Sequence, residues 1–308
     1  MKARLPREML AAVTRKLSVS VGLNTIVEAL NYASAQLAGY YAWPWLVSEI
    51  TYTFPAAVTG QCMVNDDGTI EVFDPSDANF TSYVDQNWRI LVGTADYPIL
   101  SGAQSLMTVD MEKVVPITTT ARVNCTLFQS SVTMPADFMP GKDITAYNTT
   151  MRYRIRHINR QAFERQWQSY KQMYSNMPLS FADREPFYDS TPPGRWKYQL
   201  QFCPRPVANT QIRVTYLRFP KAIDLTTNAP TEWPQGYDEV IELLAAGRIG
   251  EEHGDAKAIL GAKRAKGLIR QLRGGVATAV IDDTPEQNAP YGGASWEQDG
   301  MAVLPREG

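Results

Sequence analysis

The chain has 308 residues, 44% of them hydrophobic, with a formal net charge of −2 and a sequence pI of about 5.8. That length supports one large core or two modest ones, and the charge balance excludes a whole-protein electrostatic appetite for nucleic acid while leaving room for local basic patches. No run of 18 apolar residues is present, so no membrane-spanning helix is expected, and the charged opening MKARLPREML does not read as a secretory leader.

Pro6 suits a first helical position, and residues 7–17 read as a short helix with Met9, Leu10, Val13 and Leu17 on one side. After a break over 18–22, Thr25 and Glu28 have the spacing of a capping box, and Ile26, Leu30, Ala33 and Leu37 form an apolar stripe. Gly39 is the expected stop. Tyr40, Tyr41, Trp43, Pro44 and Trp45 follow at once. Aromatics this dense predict a structural junction, centred on Trp43, Pro44 and Trp45, between a helical layer and a strand beginning near Glu49.

The period then changes from 3.6 to 2. Ile50, Tyr52 and Phe54 alternate with polar neighbours up to Pro55, and Asn65, Asp66, Asp67 and Gly68 read as a hairpin turn. Ile70 and Val72, then Trp88, Ile90 and Val92, then Val109 and Met111, then Val123, Cys125 and Leu127 continue a series of short strands. Such a series suggests an antiparallel sandwich or barrel. Cys62, Cys125 and Cys203 are odd in number and make neither a metal spacing nor a disulfide framework. They are expected to be small core hydrophobes in a reducing compartment.

A single internal helix is expected after Asn159, with Phe163, Trp167, Tyr170, Tyr174 and Met177 on one face and Pro178 at its end. Its aromatic stripe suits core packing or, alternatively, a seam between subunits. Residues 179–194 are polar and proline-rich and read as a loop. Trp196, Tyr198, Leu200 and Phe202 alternate with Lys197, Gln199 and Gln201, which predicts a strand with one dry and one wet face, closed by Pro204 and Pro206. Ile212, Val214 and Tyr216 are its expected hairpin partner.

Helix returns at Tyr237, with Val240, Leu243, Leu244 and Gly247 on one side, and His253-Gly254-Asp255 reads as a turn in which Asp255 caps the next helix. Acidic residues precede that helix, and Lys257, Lys263, Arg264, Lys266, Arg270 and Arg273 lie in its body, an order that complements the helix dipole. A solvated face accounts for this pattern. Lys263, Arg264, Lys266, Arg270 and Arg273 are also the candidate phosphate or partner contacts. Gly274 and Gly275 are the expected end. Residues 276–308 have no period yet carry Tyr291, Trp296, Met301, Val303 and Leu304, the mix of an extended arm that docks on a partner, or of a loose tail. Tyr291, Trp296, Met301 and Leu304 are the candidate docking residues.

The element order predicts an α+β fold: a helical bundle built from N-terminal, central and C-terminal helices, an inserted antiparallel β-sandwich or barrel-like lobe, and an extended C-terminal arm. The expected divisions are residues 1–48 and 225–275 for the outer helices, 49–157 for the β-rich lobe, 158–178 for the central helix, 179–224 for loop and hairpin, and 276–308 for the arm.

Catalytic patterns do not emerge. His157 and His253 lie on different elements without a ligand spacing, and the pairs Asp66-Asp67 and Asp282-Asp283 fall among turn residues. Neither a phosphate-binding glycine loop nor a nucleophile elbow occurs, so no cofactor and no metal are expected.

Against that background ALNYASAQLAGYYAWPWLVSEITYTFPA resembles the opening of head-to-tail adaptor proteins of tailed bacteriophages, also called tail tubular or head-tail connector proteins. In that family a helix ends in a W-P-x-L-like aromatic element followed by a strand with alternating aromatics; the element here is Trp43-Pro44-Trp45-Leu46. Trp233-Pro234 with residues 237–244 is similar to the start of the family's C-terminal helix, and residues 195–224, with YQLQFCPRP and IRVTYLRFPKAI, resemble the hairpin before it. The resemblance covers most of residues 23–273; the chain is long for the family, and the tail from Val276 is extra.

The resemblance implies a non-enzymatic virion protein at the head-tail junction, assembled in the host cytoplasm. It would form a homo-oligomeric ring, a dodecamer, between the portal protein and a tail or nozzle protein. DNA would pass through its channel without sequence-specific binding, and no membrane would be involved. A ring closes through a heterologous interface, which needs apolar, aromatic-rich patches. The alternative is a β-rich glycan- or receptor-binding virion accessory protein, with Trp88 or Trp196 stacking on a sugar. The alternation of both with polar residues favours burial. A hydrolase using scattered carboxylates has the least support.

Overall fold

The computed structural model describes residues 4–65, 67, 69–73, 87–103, 106–109, 121–142, 144–170, 173–189, 195–234 and 236–282. Its helices are α1 (Pro6–Lys16), α2 (Leu23–Tyr40), α3 (Arg160–Tyr170), α4 (Tyr237–His253) and α5 (Ala256–Asp282). The chain forms two compact units, one from residues 1–41 with 221–308, the other from 42–220.

In the first unit α4 packs against α1, α2 and α5. It is buried nearly all round, through Val240, Ile241, Leu243, Leu244, Ala245, Ala246 and Ile249, as expected of a helix with apolar residues on every side. Gly254, in the left-handed region at φ 70°, ends α4. Asp255 then caps α5, its Oδ1 accepting the Lys257 and Ala258 N–H groups at 3.1 and 3.3 Å. The Thr25–Glu28 capping box does not form. Helix α2 starts earlier, at Leu23, with Gly22 as its extended N-cap, so Thr25 lies inside the first turn. Gly274 and Gly275 do not end α5, which runs on to Asp282. Two glycines cost about 1 kcal/mol each in a helix, and propagation from an established helix tolerates that.

The second unit contains all the strands: β1 (Val47–Thr53), β2 (Val58–Val64), β3 (Thr69–Phe73), β4 (Trp88–Val92), β5 (Ala95–Ala103), β6 (Leu106–Val109), β7 (Val123–Gln129), β8 (Ser131–Thr133), β9 (Thr145–Asn148), β10 (Tyr153–His157), β11 (Tyr174–Ser175), β12 (Ser180–Asp189), β13 (Arg195–Cys203), β14 (Arg205–Pro206) and β15 (Gln211–Leu217). Six of them close a barrel in the order β2-β3-β6-β5-β4-β7. Its interior is filled by the inward residues of each strand, among them Cys62, Val64, Ile70, Val72, Ile90, Val92, Tyr97, Cys125 and Leu127, as small barrels require. Seven others form a sheet ordered β1-β15-β9-β10-β12-β13-β8. Its core gathers Phe54, Ile155, Phe181, Leu200, Phe202, Ile212 and Val214.

The expected bundle with an inserted lobe is therefore wrong. The chain is mostly β, and the central helix belongs with the strands. The reason lies in one parallel pairing, β10 with β12, in an otherwise antiparallel sheet. Parallel neighbours need a crossover, and α3 supplies it. Asn159 caps α3 as expected, accepting the Ala162 N–H at 2.8 Å. The helix then lays Phe163 and Trp167 into a cluster with Phe128, Ala182 and Cys203.

The stretch 179–194 also departs from the expected loop. Ser180–Asp189 is strand β12, paired antiparallel to β13, with a register shift between Arg184 and Phe187. Pro186 lies in that shift, one of the few places where a strand accepts a proline. Nor does β13 have one wet face: Gln199 and Gln201 are as buried as Leu200 and Phe202. The Gln199 amide donates to Asn87 Oδ1 at 2.8 Å, and Gln201 Oε1 accepts from the Arg160 guanidinium at 3.1 Å.

A buried polar knot ties barrel to helix. Asp96 accepts the Arg89 Nε–H at 2.7 Å on one oxygen and the Trp167 indole N–H at 2.8 Å on the other. Replacing Trp167 by Phe keeps most of the packing but leaves one carboxylate oxygen without its donor. Unfolding in urea is expected to show a loss of about 2 kcal/mol, the size of a hydrogen bond to a charged group; an unchanged midpoint would mean the indole N–H contributes nothing.

Candidate functional site

The junction residues sit at the start of the β unit. Trp43 is fully buried and stacks on Trp45 with ring centroids 5.3 Å apart, while exposed Pro44 opens a single 3-10 turn, Pro44–Leu46. The Leu46 N–H donates to the Trp43 carbonyl at 2.9 Å, and the Leu46 carbonyl accepts the Arg218 N–H at 3.0 Å. These bonds anchor the aromatic element to the β1–β15 edge of the sheet.

The aromatic stripe expected on the central helix is split in two. Phe163 and Trp167 point inward, as core. Helix α3 ends at Tyr170, and Tyr174 belongs to β11 instead. Tyr170, Met173 (55% exposed), Tyr174 (67%), Met177 and Leu179 (56%) face outward, with exposed Met151 reached by the Asn176 amide at 3.9 Å. Spacing alone could not show this, because Tyr170, Tyr174 and Met177 keep the helical period. For Met177 the available signal was Ser175-Asn176 before Pro178: the Ser175 hydroxyl accepts the Met177 N–H at 2.9 Å, a serine turn that follows β11. Exposed apolar groups gathered like this mark interaction surfaces.

A second exposed apolar group lies on the outer end of the β12–β13 ribbon. Trp196 is 60% exposed and packs edge-on to exposed Tyr188 at 5.6 Å, with the Lys197 ammonium 6.0 Å from the Phe187 ring. The burial expected for Trp196 is thus overturned: β8 pairs only with residues 199–201 of β13 and β10 only with the start of β12, so no described strand lies beside the ribbon at this end. Trp88, in contrast, is buried in the barrel wall at 6%.

On α5 the basic residues stand on the wet side. Lys263, Arg264, Lys266 and Arg270 are exposed while Ala265 and Ile269 are buried, and none of the four forms an ion pair with a described residue. The Arg273 side chain lies outside the described residues, as do Tyr291, Trp296, Met301 and Leu304 of the arm. Residues 276–282, counted at first with the arm, continue α5.

No family model matches this chain, and no curated protein matches it.

Titratable groups are placed structurally. The His157 ring stacks on Phe181 at 4.7 Å and lies 3.6 Å from Asp183, and His253 is exposed at the end of α4. Asp67 is held below its ordinary pKa by the Thr69 hydroxyl and N–H, as a turn aspartate should be. All three cysteines are buried and free. Burial pushes the Cys203 thiol up to about 12. The Cys62 thiol is also raised, through its hydrogen bond with Cys125 and through burial. Inert thiols of this kind behave as small hydrophobes. No grouping of three or more metal-ligating side chains occurs among the described residues, and no described helix is long and apolar enough to cross a membrane.

Proposed function

We propose that this protein is a structural subunit of a homo-oligomeric ring, of the head-to-tail adaptor type that its sequence resembles, lying between portal and tail proteins and enclosing the path of DNA. The observation that carries the reading is the exposed apolar group of Tyr170, Met173, Tyr174, Met177, Leu179 and Met151. A ring closes when one patch on each subunit meets a different patch on the next, and such patches are rich in aromatics and methionine. Trp43-Pro44-Trp45-Leu46 leads into the first strand of the β unit, and Trp233-Pro234 precedes α4; the hairpin expected over 195–224 does not form, because β13 pairs with β12 and β8 while β15 pairs with β1 and β9. The unpaired cations on α5 supply a surface for a partner or for passing phosphates.

Native mass spectrometry of the purified chain, alone and with a portal protein, tests this. The wild type is expected as a ring of many copies, and Met177→Asp with Leu179→Asp is expected to release monomers of unchanged thermal midpoint. A wild-type chain that stays monomeric with and without the portal sinks the proposal.

The second reading, a carbohydrate-binding lobe, draws on the Trp196–Tyr188 pair, since an exposed indole face suits the C–H face of a pyranose. A glycan array hit abolished by Trp196→Ala, on a chain that forms no ring, would favour it.

A further inference from the structure

One pocket in the β unit holds a charge that the chain itself does not neutralise. It has a volume of about 310 Å³ and lies where the β1–β2 loop, β7, β11 and β14 meet. Its walls are mainly apolar, with Pro55, Ala57, Phe128 and Pro206 among them, and Thr59 and Thr126 add hydroxyls. The cation in the lining is Arg205, only 5% exposed. Its guanidinium is clamped between two rings, 4.1 Å from the Phe128 centroid and 5.0 Å from that of Tyr174. Both Nε and Nη1 are buried without a hydrogen-bond partner.

The nearest candidate counter-ion is already used. Asp96, whose oxygens accept from Arg89 and Trp167, acts on Arg205 through its field and not through a hydrogen bond. Burial pulls the Arg205 pKa below its ordinary value, with Asp96 only partly offsetting it. An arginine does not escape this cost by losing its proton. Buried N–H donors without partners are costly, so an unpaired cation in the lining of a pocket needs a function or a ligand to account for it.

We infer that this pocket binds an organic carboxylate: a planar anion on the Arg205 fork, with its apolar body against Phe128, Pro206 and the Pro55–Ala57 loop. A single guanidinium against two aromatic rings in an apolar pocket suits the single charge of a carboxylate better than the larger charge of a phosphate. The apolar walls take the remainder of the ligand. Sequence reading gave no hint of the site. Arg205 is one cation between two prolines, and its partners come from segments far apart in the chain.

Benzoate is the probe, titrated into the full-length chain by calorimetry beside benzamide and inorganic phosphate. Wild type is expected to bind benzoate saturably, benzamide at least about tenfold more weakly because it loses the charge-assisted bond, and phosphate at least about tenfold more weakly because it has no apolar body for the walls to bury. Arg205→Gln should lose about ten- to a hundredfold in benzoate affinity, and Arg205→Lys, which keeps the charge but not the fork, should fall between. Ala57 is exposed and lines the pocket, so Ala57→Trp adds bulk there without replacing a core residue and should abolish binding with an unchanged thermal midpoint. Benzoate affinity that survives Arg205→Gln or Ala57→Trp, equal binding of benzamide or phosphate, or no saturable binding by the wild type overturns the inference. None of these outcomes depends on whether the protein forms rings, which the mass measurement decides separately.

Discussion

Gly247→Ala is expected to destabilise the helical unit by about 2 kcal/mol or more, although alanine is the better helix former by about 1 kcal/mol. The reason is the closeness of α4 and α5. A methyl group added at Gly247 would fall inside the van der Waals envelope of the Ala262 Cβ, and one added at Gly250 would lie 2.7 Å from the Ala258 Cβ and 3.0 Å from the Asp255 carbonyl. Neither obstacle is the tip of a flexible side chain, so the two backbones must separate. Gly267, on the same α5, is the control. It is exposed and an added methyl meets nothing within 4 Å, so Gly267→Ala should stabilise by about 1 kcal/mol. Pairing Gly247→Ala with Ala262→Gly moves the methyl from one helix to the other and should recover most of the loss, a coupling that urea unfolding in a double-mutant cycle would read. If Gly247→Ala behaves like Gly267→Ala, the close approach of these helices is refuted.

The sequence was most readable where one face decides. The alternation at Ile70–Val72, Trp88–Val92 and Val123–Leu127 reads directly as barrel strands, because a closed barrel keeps one face of every strand dry. Asp255 was legible as a cap because its chemistry is local. What failed depended on distant segments. Nothing within residues 160–178 reveals that β10 and β12 run parallel, and that pairing is what makes α3 a crossover within the β unit. A strand carrying Pro186 and several charges looks like a loop until β13 lies beside it. Gln199 and Gln201 look wet until Asn87 and Arg160 arrive to satisfy them.

The candidate surfaces follow the same division. Exposure of the α5 cations was readable from helical spacing, since Ala265 and Ile269 mark the opposite side. Trp196 was misjudged because alternation tells which residues share a face and not whether anything covers it. Phe163 and Tyr174 share one period, yet the first is fully buried and the second is among the most exposed rings, because α3 ends at Tyr170 and Tyr174 belongs to β11, paired with β14.

Arg4→Ala combined with Lys16→Ala is expected to cost roughly 3–5 kcal/mol, the range for stranding a buried charge. The charge is Glu242, fully buried on α4, with one oxygen 2.6 Å from the Arg4 guanidinium and the other 2.7 Å from the Lys16 ammonium. Both cations keep part of their side chains in water, whereas the carboxylate has no route out. The energetics are therefore asymmetric: Glu242→Gln releases two cations that can rehydrate and should cost far less than removing them. Adding Glu242→Gln to the double variant should restore most of the stability, since a neutral amide is left where a bare carboxylate was. The pH dependence carries a sign that checks the account. An unpaired buried carboxylate has a raised folded pKa, so the folded state binds the extra proton. The double variant should regain stability as pH falls through that raised value and lose it again as pH rises. Asp238 nearby already has this sense in the wild type, raised chiefly by burial and pulled back by the Arg4 N–H and the Thr231 hydroxyl. Its contribution is thus present below the ordinary aspartate range and lost above it, and Asp238→Asn should flatten that part of the acid limb. Amide exchange along α4, followed across pH, reads the local stability of this helix directly. A double variant whose exchange is slow and insensitive to pH would show that Glu242 never depended on its two cations.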